Sequence, residues 1–125
     1  MTIARQARGT RSQRGGIAAE NAACTVLEQD GWTILARRLQ TGAGEIDIVA
    51  RKDGLLAIIE VKSRKTLSEA AYALSGRQRA RLIAAAEALL ASQPSWGDSG
   101  VRFDVVIVDS QGKIRRIIDA FRQES

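Results

Sequence analysis

GEIDIVARKDGLLAIIEVK, residues 44–62, consists of two apolar runs on either side of a turn, and each run carries charge where a buried strand has no use for it. In the first, Ile46, Ile48, Val49 and Ala50 surround Asp47; in the second, Leu55 to Ile59 lead into Glu60, Val61 and Lys62. Short apolar runs bounded by turn residues read as strands. The Asp-Gly pair within Arg51-Lys52-Asp53-Gly54 joins two such strands, over 45–50 and 55–62, into an antiparallel hairpin. Side chains alternate along a strand, so Glu45 and Asp47 share one face and Ile46 and Ile48 the other, while Ile58, Glu60 and Lys62 share a face on the second strand. Whether residue 50 or residue 52 opposes residue 55, odd positions of one strand meet even positions of the next. Asp47, Glu60 and Lys62 therefore come to the same side.

With residue 52 opposite residue 55, Asp47 directly faces Glu60. Two carboxylates ~4 Å apart repel by roughly 4 kcal/mol at an effective dielectric near 20. That is large against a total stability of ~5 to 15 kcal/mol, so a cation belongs between them. Lys62 serves in part. A divalent ion, Mg2+ or Mn2+, held by two carboxylates and several waters also suits hard-oxygen chemistry. The expected activity is metal-assisted phosphodiester hydrolysis, with Lys62 orienting the attacking water or offsetting charge on the phosphate.

Outward from the hairpin, an alanine-rich stretch predicts a helix over 16–30. Ile17, Cys24 and Leu27 form its inward stripe, and Gly31 closes it. Glu20 interrupts that stripe: an ionised side chain there either points at a cation, which makes it a third acid at the metal, or snorkels out at the helix start. Residues 32–37 predict a short strand. A helix over Gly76–Ser92, with Leu82, Ala85, Ala86 and Leu89 inward, ends at Gln93-Pro94. Residues 102–108 predict a central strand, and 114–118 a last strand or short helix. Helices interleaved with strands, plus one tight hairpin, imply an α/β domain with a mixed sheet.

Composition narrows the chemistry. Among 125 residues there is no histidine and one cysteine, Cys24. Internal disulfides, imidazole general bases and zinc sites with His ligands are excluded, and carboxylates, lysine, hydroxyls or a hard metal remain. No apolar run approaches the roughly 20 residues of a membrane span, and no secretory signal opens the chain, so a cytoplasmic protein without membrane contact is expected. The net charge of +5 points to a polyanionic partner. Its origin is local: Arg5, Arg8, Arg11 and Arg14 supply +4, and removing them from 19 basic residues leaves 15 against 14 acidic ones. Residues 1–15 are expected to form a basic, disordered arm ahead of a single domain over 16–125. The arm is either a solubilising leader or a phosphate-contacting segment.

The pair GEID, from Gly44, and EVKSR, ending at Arg64, resembles the core of the PD-(D/E)XK nuclease superfamily, and more narrowly the bacterial YraN family, small proteins likened to Holliday-junction resolvases. The likeness spans residues 16–109. It takes in Gly16 and Glu20, residues 31–35, both motif strands, the helix start over 77–82, and residues 102–106. The resemblance implies a restriction-endonuclease-like core, a mixed β-sheet flanked by helices. It makes Asp47 and Glu60 the metal ligands, Lys62 the catalytic lysine and Glu20 an accessory acid, counted with the metal site, and places Gln78 on a helix that approaches the site. Glu45 reads either as part of the site or as a residue that fixes the strand end. The chain departs from the family at Arg38, where asparagine is expected, and at residues 67–70, which lack an aromatic-glycine pair.

Three functions stay open on these grounds. The first is a magnesium-dependent endonuclease acting on structured or branched DNA, with Arg64, Arg77, Gln78 and Arg81 as nucleic-acid contacts and a homodimer for paired cuts. The second is a non-catalytic or weakly active nucleic-acid-binding adaptor that keeps the nuclease fold and works with a protein partner. In the third, the acids form an ion network of purely structural purpose. Arginines on a helix face are in general solvated, so Arg77 and Arg81 also have that simpler reading.

Overall fold

Asp53 and Gly54 both adopt positive φ, 52° and 81°, as a two-residue hairpin turn of the right twist requires. A Cβ on Gly54 would also lie 2.5 Å from Ser99 Oγ, so the position excludes a side chain twice over. From this turn run β2 (Gly44–Lys52) and β3 (Leu55–Ser63), paired antiparallel with Lys52 opposite Leu55. The structure, a computed structural model, describes residues 11–67 and 74–121, with side chains from residue 16 onward.

Around the hairpin the order is α1 (Arg11–Gln29), β1 (Thr33–Thr41), β2, β3, α2 (Gly76–Ser92), a 3-10 turn (Pro94–Gly97), β4 (Val101–Val108) and β5 (Ile114–Phe121). The five strands lie side by side in chain order, with β3 and β4 parallel and the other neighbours antiparallel. The parallel step spans α2, as a crossover demands. The chain thus has the expected α/β class: a mixed sheet flanked by helices, compatible with a restriction-endonuclease-like core.

Each helix covers one face of the sheet. On one side Ala23, Cys24 and Leu27 of α1 pack with Trp32 against Ile48, Ala50, Ala57, Ile59, Val106 and Val108. On the other, Leu82, Ala85, Ala86 and Leu89 of α2 pack against Ile46, Val49, Leu56, Ile58 and Phe103. β4 is interior, buried from Phe103 through Val108. At the start of α2, Ser75 Oγ accepts the Gln78 N–H (3.1 Å) and Gln78 Oε1 accepts the Ser75 N–H (2.9 Å), a capping box that satisfies two otherwise orphaned donors.

Four expectations need correction. First, α1 begins at Arg11, before residue 16, because the Gly15-Gly16 pair weakens a helix by only about 1 kcal/mol per glycine and does not end it. Residues 11–15 are helical, and the disorder expected of residues 1–10 lies outside the described residues. Second, Ile17 is 42% exposed. At about 100° per residue the buried stripe centres on Glu20, Ala23 and Leu27, and Ile17 falls at its margin. Third, Ile46 and Ile48 do not share a face: Ile46 packs under α2 and Ile48 under α1. The strand turns over at Asp47, where its neighbour on β1, Arg38, takes a left-handed φ of 50° and breaks simple alternation there too. Fourth, β1 runs on to Thr41 rather than residue 37, and Thr41 Oγ1 receives the N–H groups of Ala43 and Gly44 to close the turn into β2. The last element, left as strand or helix by its sequence, is the strand β5.

Candidate active site

The β2–β3 ladder runs from Lys52↔Leu55 to Ile48↔Ile59. One step further Asp47 stands level with Glu60, and its side chain takes over the bonding: the Val61 N–H donates to Asp47 Oδ2 at 2.8 Å. The backbone ladder gives way at this level to a side-chain contact, and the charged residues gather at this fork. Glu60 is buried, 6% exposed, and its Oε2 lies 3.2 Å from Lys62 Nζ and 3.9 Å from Arg81 Nη2. The acid-acid-lysine grouping expected from strand parity is therefore assembled at one place, by the register that sets residue 52 opposite residue 55.

Burial, and then the charge of Glu60, push the Asp47 carboxyl from 3.8 up to about 7; the Val61 N–H pulls it down, and Glu20 and Glu45 add smaller upward pushes. The group sits among acids in a poorly solvated fork. A cation brought to it is stabilised by the same charges that now favour its proton.

Glu20, equally buried, arrives from α1 on the central line of that helix's inward stripe. It faces a cation, and that cation is a side chain of β1. Arg38 Nε donates to both carboxylate oxygens, at 3.0 and 3.2 Å, and Arg37 Nη2 lies 3.6 Å from Oε1. Among the described residues no group of three or more acidic, cysteine or histidine side chains stands close enough to hold one metal ion. Glu60 is the acid whose charge acts most strongly on Asp47, with Glu20 and Glu45 as weaker neighbours.

The expected nucleic-acid contacts separate. Arg81 belongs to the cluster: its stem passes over Gly44, where an added Cβ would be 3.1 Å from its Cγ and Cδ, and its guanidinium reaches Glu60. Arg64 lies beside the cluster, its guanidinium donating to the Ser63 carbonyl at 2.9 Å. Arg77 is exposed in the first turn of α2. Gln78 is half-buried in that same turn, with its carbonyl engaged in the cap. Glu45 is half-buried at the start of β2.

Arg38 and Asp104 are two residues whose ion pairs the sequence did not announce. Arg38 registered only as a departure from a pattern, although the buried acid at position 20 called for a basic partner somewhere. Asp104, buried in β4, is gripped by Arg102 through Nε and Nη2 at 2.9 and 2.8 Å and accepts the Asp119 N–H at 2.9 Å. The signal for that pair was Arg102 two residues earlier on the same strand face. Arg102 also lies 5.3 Å from the ring centre of Trp32.

Residues 19–108 match the family described as "Uncharacterised protein family UPF0102". Over 115 residues the chain is 63% identical to a UPF0102 protein of Granulibacter bethesdensis, an alignment covering 92% of this chain and 73% of that relative. It is 49% identical over 109 residues to one from Azorhizobium caulinodans (87% and 83% covered), and 44% identical over 108 residues to one from Rhodopseudomonas palustris (86% and 83%). The family match takes in Glu20, Arg38, Asp47, Glu60, Lys62 and Arg81 alike. By the extent of that match and the identity of these relatives, the chain belongs to the uncharacterised protein family UPF0102.

Proposed function

We propose that the chain is a metal-dependent endonuclease of the PD-(D/E)XK type that hydrolyses phosphodiester bonds in structured or branched DNA. Asp47 and Glu60 hold Mg2+ or Mn2+, and Lys62 is the catalytic lysine. The observation that carries this reading is the convergence of Asp47, Glu60 and Lys62 at the fork between β2 and β3, with the Asp47 carboxyl held near neutrality. The donor set fits a hard divalent ion: two neighbouring carboxylates, one of which holds a proton that an ion can replace.

When bound, the ion supplies Lewis-acid polarisation of the phosphate and makes water a better nucleophile. The chain's own groups do the rest. Asp47 and Glu60 fix the ion's place, while the Val61 N–H orients Asp47. Lys62, already 3.2 Å from Glu60, offers its ammonium to charge developing on the phosphate. Arg81 adds a second cation at the same edge, and Arg64, Arg77 and Gln78 are the side chains assigned to contact a bound strand. No base-reading motif accompanies them, so recognition rests on backbone and shape. One such cluster per chain cuts one strand, so paired cuts across a junction need a twofold dimer. A cytoplasmic site of action belongs to the same reading. Among the described residues no helix is long and apolar enough to cross a membrane.

A second reading rests on a specific observation: Glu60 is already ion-paired with Lys62 and Arg81, and Glu20 with Arg38, so these acids are neutralised by the chain's own cations. Such a site suits an adaptor that binds nucleic acid, and a protein partner, without cutting. Cleavage of linear, flap and four-way-junction DNA with magnesium or manganese separates the two. Asp47→Ala and Lys62→Ala should each lower the rate by on the order of 10²-fold or more. Equal residual cleavage by wild type and both variants rejects the nuclease, and retained junction binding in that case leaves the adaptor.

A further inference from the structure

Arg38 combines three features that belong together. It is a non-glycine residue in the left-handed region, at φ 50°, a conformation that costs roughly 1 to 3 kcal/mol and persists only where surrounding contacts enforce it. It lies between the Arg37↔Ile48 and Leu39↔Ile46 pairs, level with Asp47 on the neighbouring strand. The reversal at Arg38 sends two consecutive side chains toward α1: Arg37 Nη2 donates to Asn21 Oδ1 at 2.7 Å, and Arg38 Nε donates to both oxygens of Glu20. Its Nη2 lies 3.8 Å from where a Cβ on Gly16 would sit, on the same inward stripe of α1 as Glu20, so the half-buried guanidinium lies along α1.

We infer that Arg38 is a resident cation that closes Glu20 to metal, so that the Asp47–Glu60 pair takes a single divalent ion with Glu20 outside its coordination sphere. The inference rests on the metal-dependent reading above. A guanidinium keeps its charge at any pH the protein survives, and its planar fork matches a carboxylate. For Glu20 to become a ligand it would have to leave a buried, charge-assisted contact and strand Arg38. Arg38 acts through Glu20 as a positioning residue. It sets how many carboxylates the site presents and therefore how many ions it binds.

The test is Mn2+ binding to the metal-free full-length chain, by calorimetry and by electron paramagnetic resonance count of bound ion. Wild type should bind one Mn2+, and Asp47→Asn should weaken binding by about tenfold or more. Glu20→Gln, close to isosteric, should leave affinity within about threefold. Arg38→Gln should expose Glu20 and either tighten Mn2+ by about tenfold or add a second ion, and the Glu20→Gln/Arg38→Gln pair should return to one ion at wild-type affinity. A tenfold loss in Glu20→Gln, or a folded Arg38→Gln with unchanged binding, overturns the inference while the metal site stands. If Arg38→Gln does not fold, Glu20→Gln decides alone. Wild-type binding indifferent to Asp47→Asn removes the metal site and the inference with it.

Discussion

At the scale of single residues the decisive group is Asp47, a carboxyl held near neutrality by burial and by Glu60. Its folded pKa lies above its unfolded one, so the metal-free fold favours the protonated form. That contribution to stability is complete below about pH 4 and is lost as pH rises through about 7. Asp47→Asn, which cannot ionise, should therefore melt above wild type at pH 8 in the presence of a chelator, with the gap closing toward pH 4. A gap that is constant across this range would remove the assigned origin of the shift. Asp104 makes the opposite case, a buried acid fully matched by Arg102 and the Asp119 N–H. Removing one partner of a buried pair leaves the other uncompensated, so Asp104→Ala should cost about 3 kcal/mol in urea unfolding; a loss under about 1 kcal/mol would mean that Arg102 simply turns to solvent. The grouping of Asp47, Glu60 and Lys62 was legible because strand parity needs only a turn and an alternation. The grip of Arg38 on Glu20 was not, since a left-handed φ at a non-glycine residue leaves no mark on hydrophobic pattern.

Among the elements, legibility followed punctuation. α2 was readable from its inward apolar stripe and from Gln93-Pro94, which stops its end, while the Ser75 cap at its start is a feature of the structure on which that expectation did not rest. Ser75→Ala should lower stability by about 1 kcal/mol and speed amide exchange in the first turn of α2. Exchange unchanged there would mean that the Gln78 side chain alone suffices as a cap. α1 carries no such marks, and its start was misplaced at a glycine pair that the helix tolerates. In β2 the error lay beyond Asp47: alternation predicts a flat strand, but the reversal opposite Arg38 turns Ile46 to the other face. The point where the pattern failed is also the point where the charged residues converge.

For the whole molecule, the layered α/β architecture was accessible from the interleaving of elements, whereas partner and substrate depend on surfaces that periodicity does not encode. Charge gives one handle at this scale. Residues 1–10 hold Arg5 and Arg8 and no acid, so removing them takes the net charge from +5 to +3. If the arm contacts phosphate, its deletion should reduce the slope of log affinity against log salt for duplex DNA by up to about 1.8; an unchanged slope makes it a solubilising leader. The order of the sheet bears on how the chain reaches this state. Each antiparallel pairing joins strands separated by a short connection, but the β3–β4 seam joins positions such as Leu56 and Val101, far apart along the chain. The β1–β2–β3 meander can close its loops at small entropic cost, while the parallel seam must wait for α2 and its flanking segments to be drawn in. The acidic fork lies wholly within the meander, so the like charges of Asp47 and Glu60 work against closure of the segment whose loops are otherwise the least costly to form.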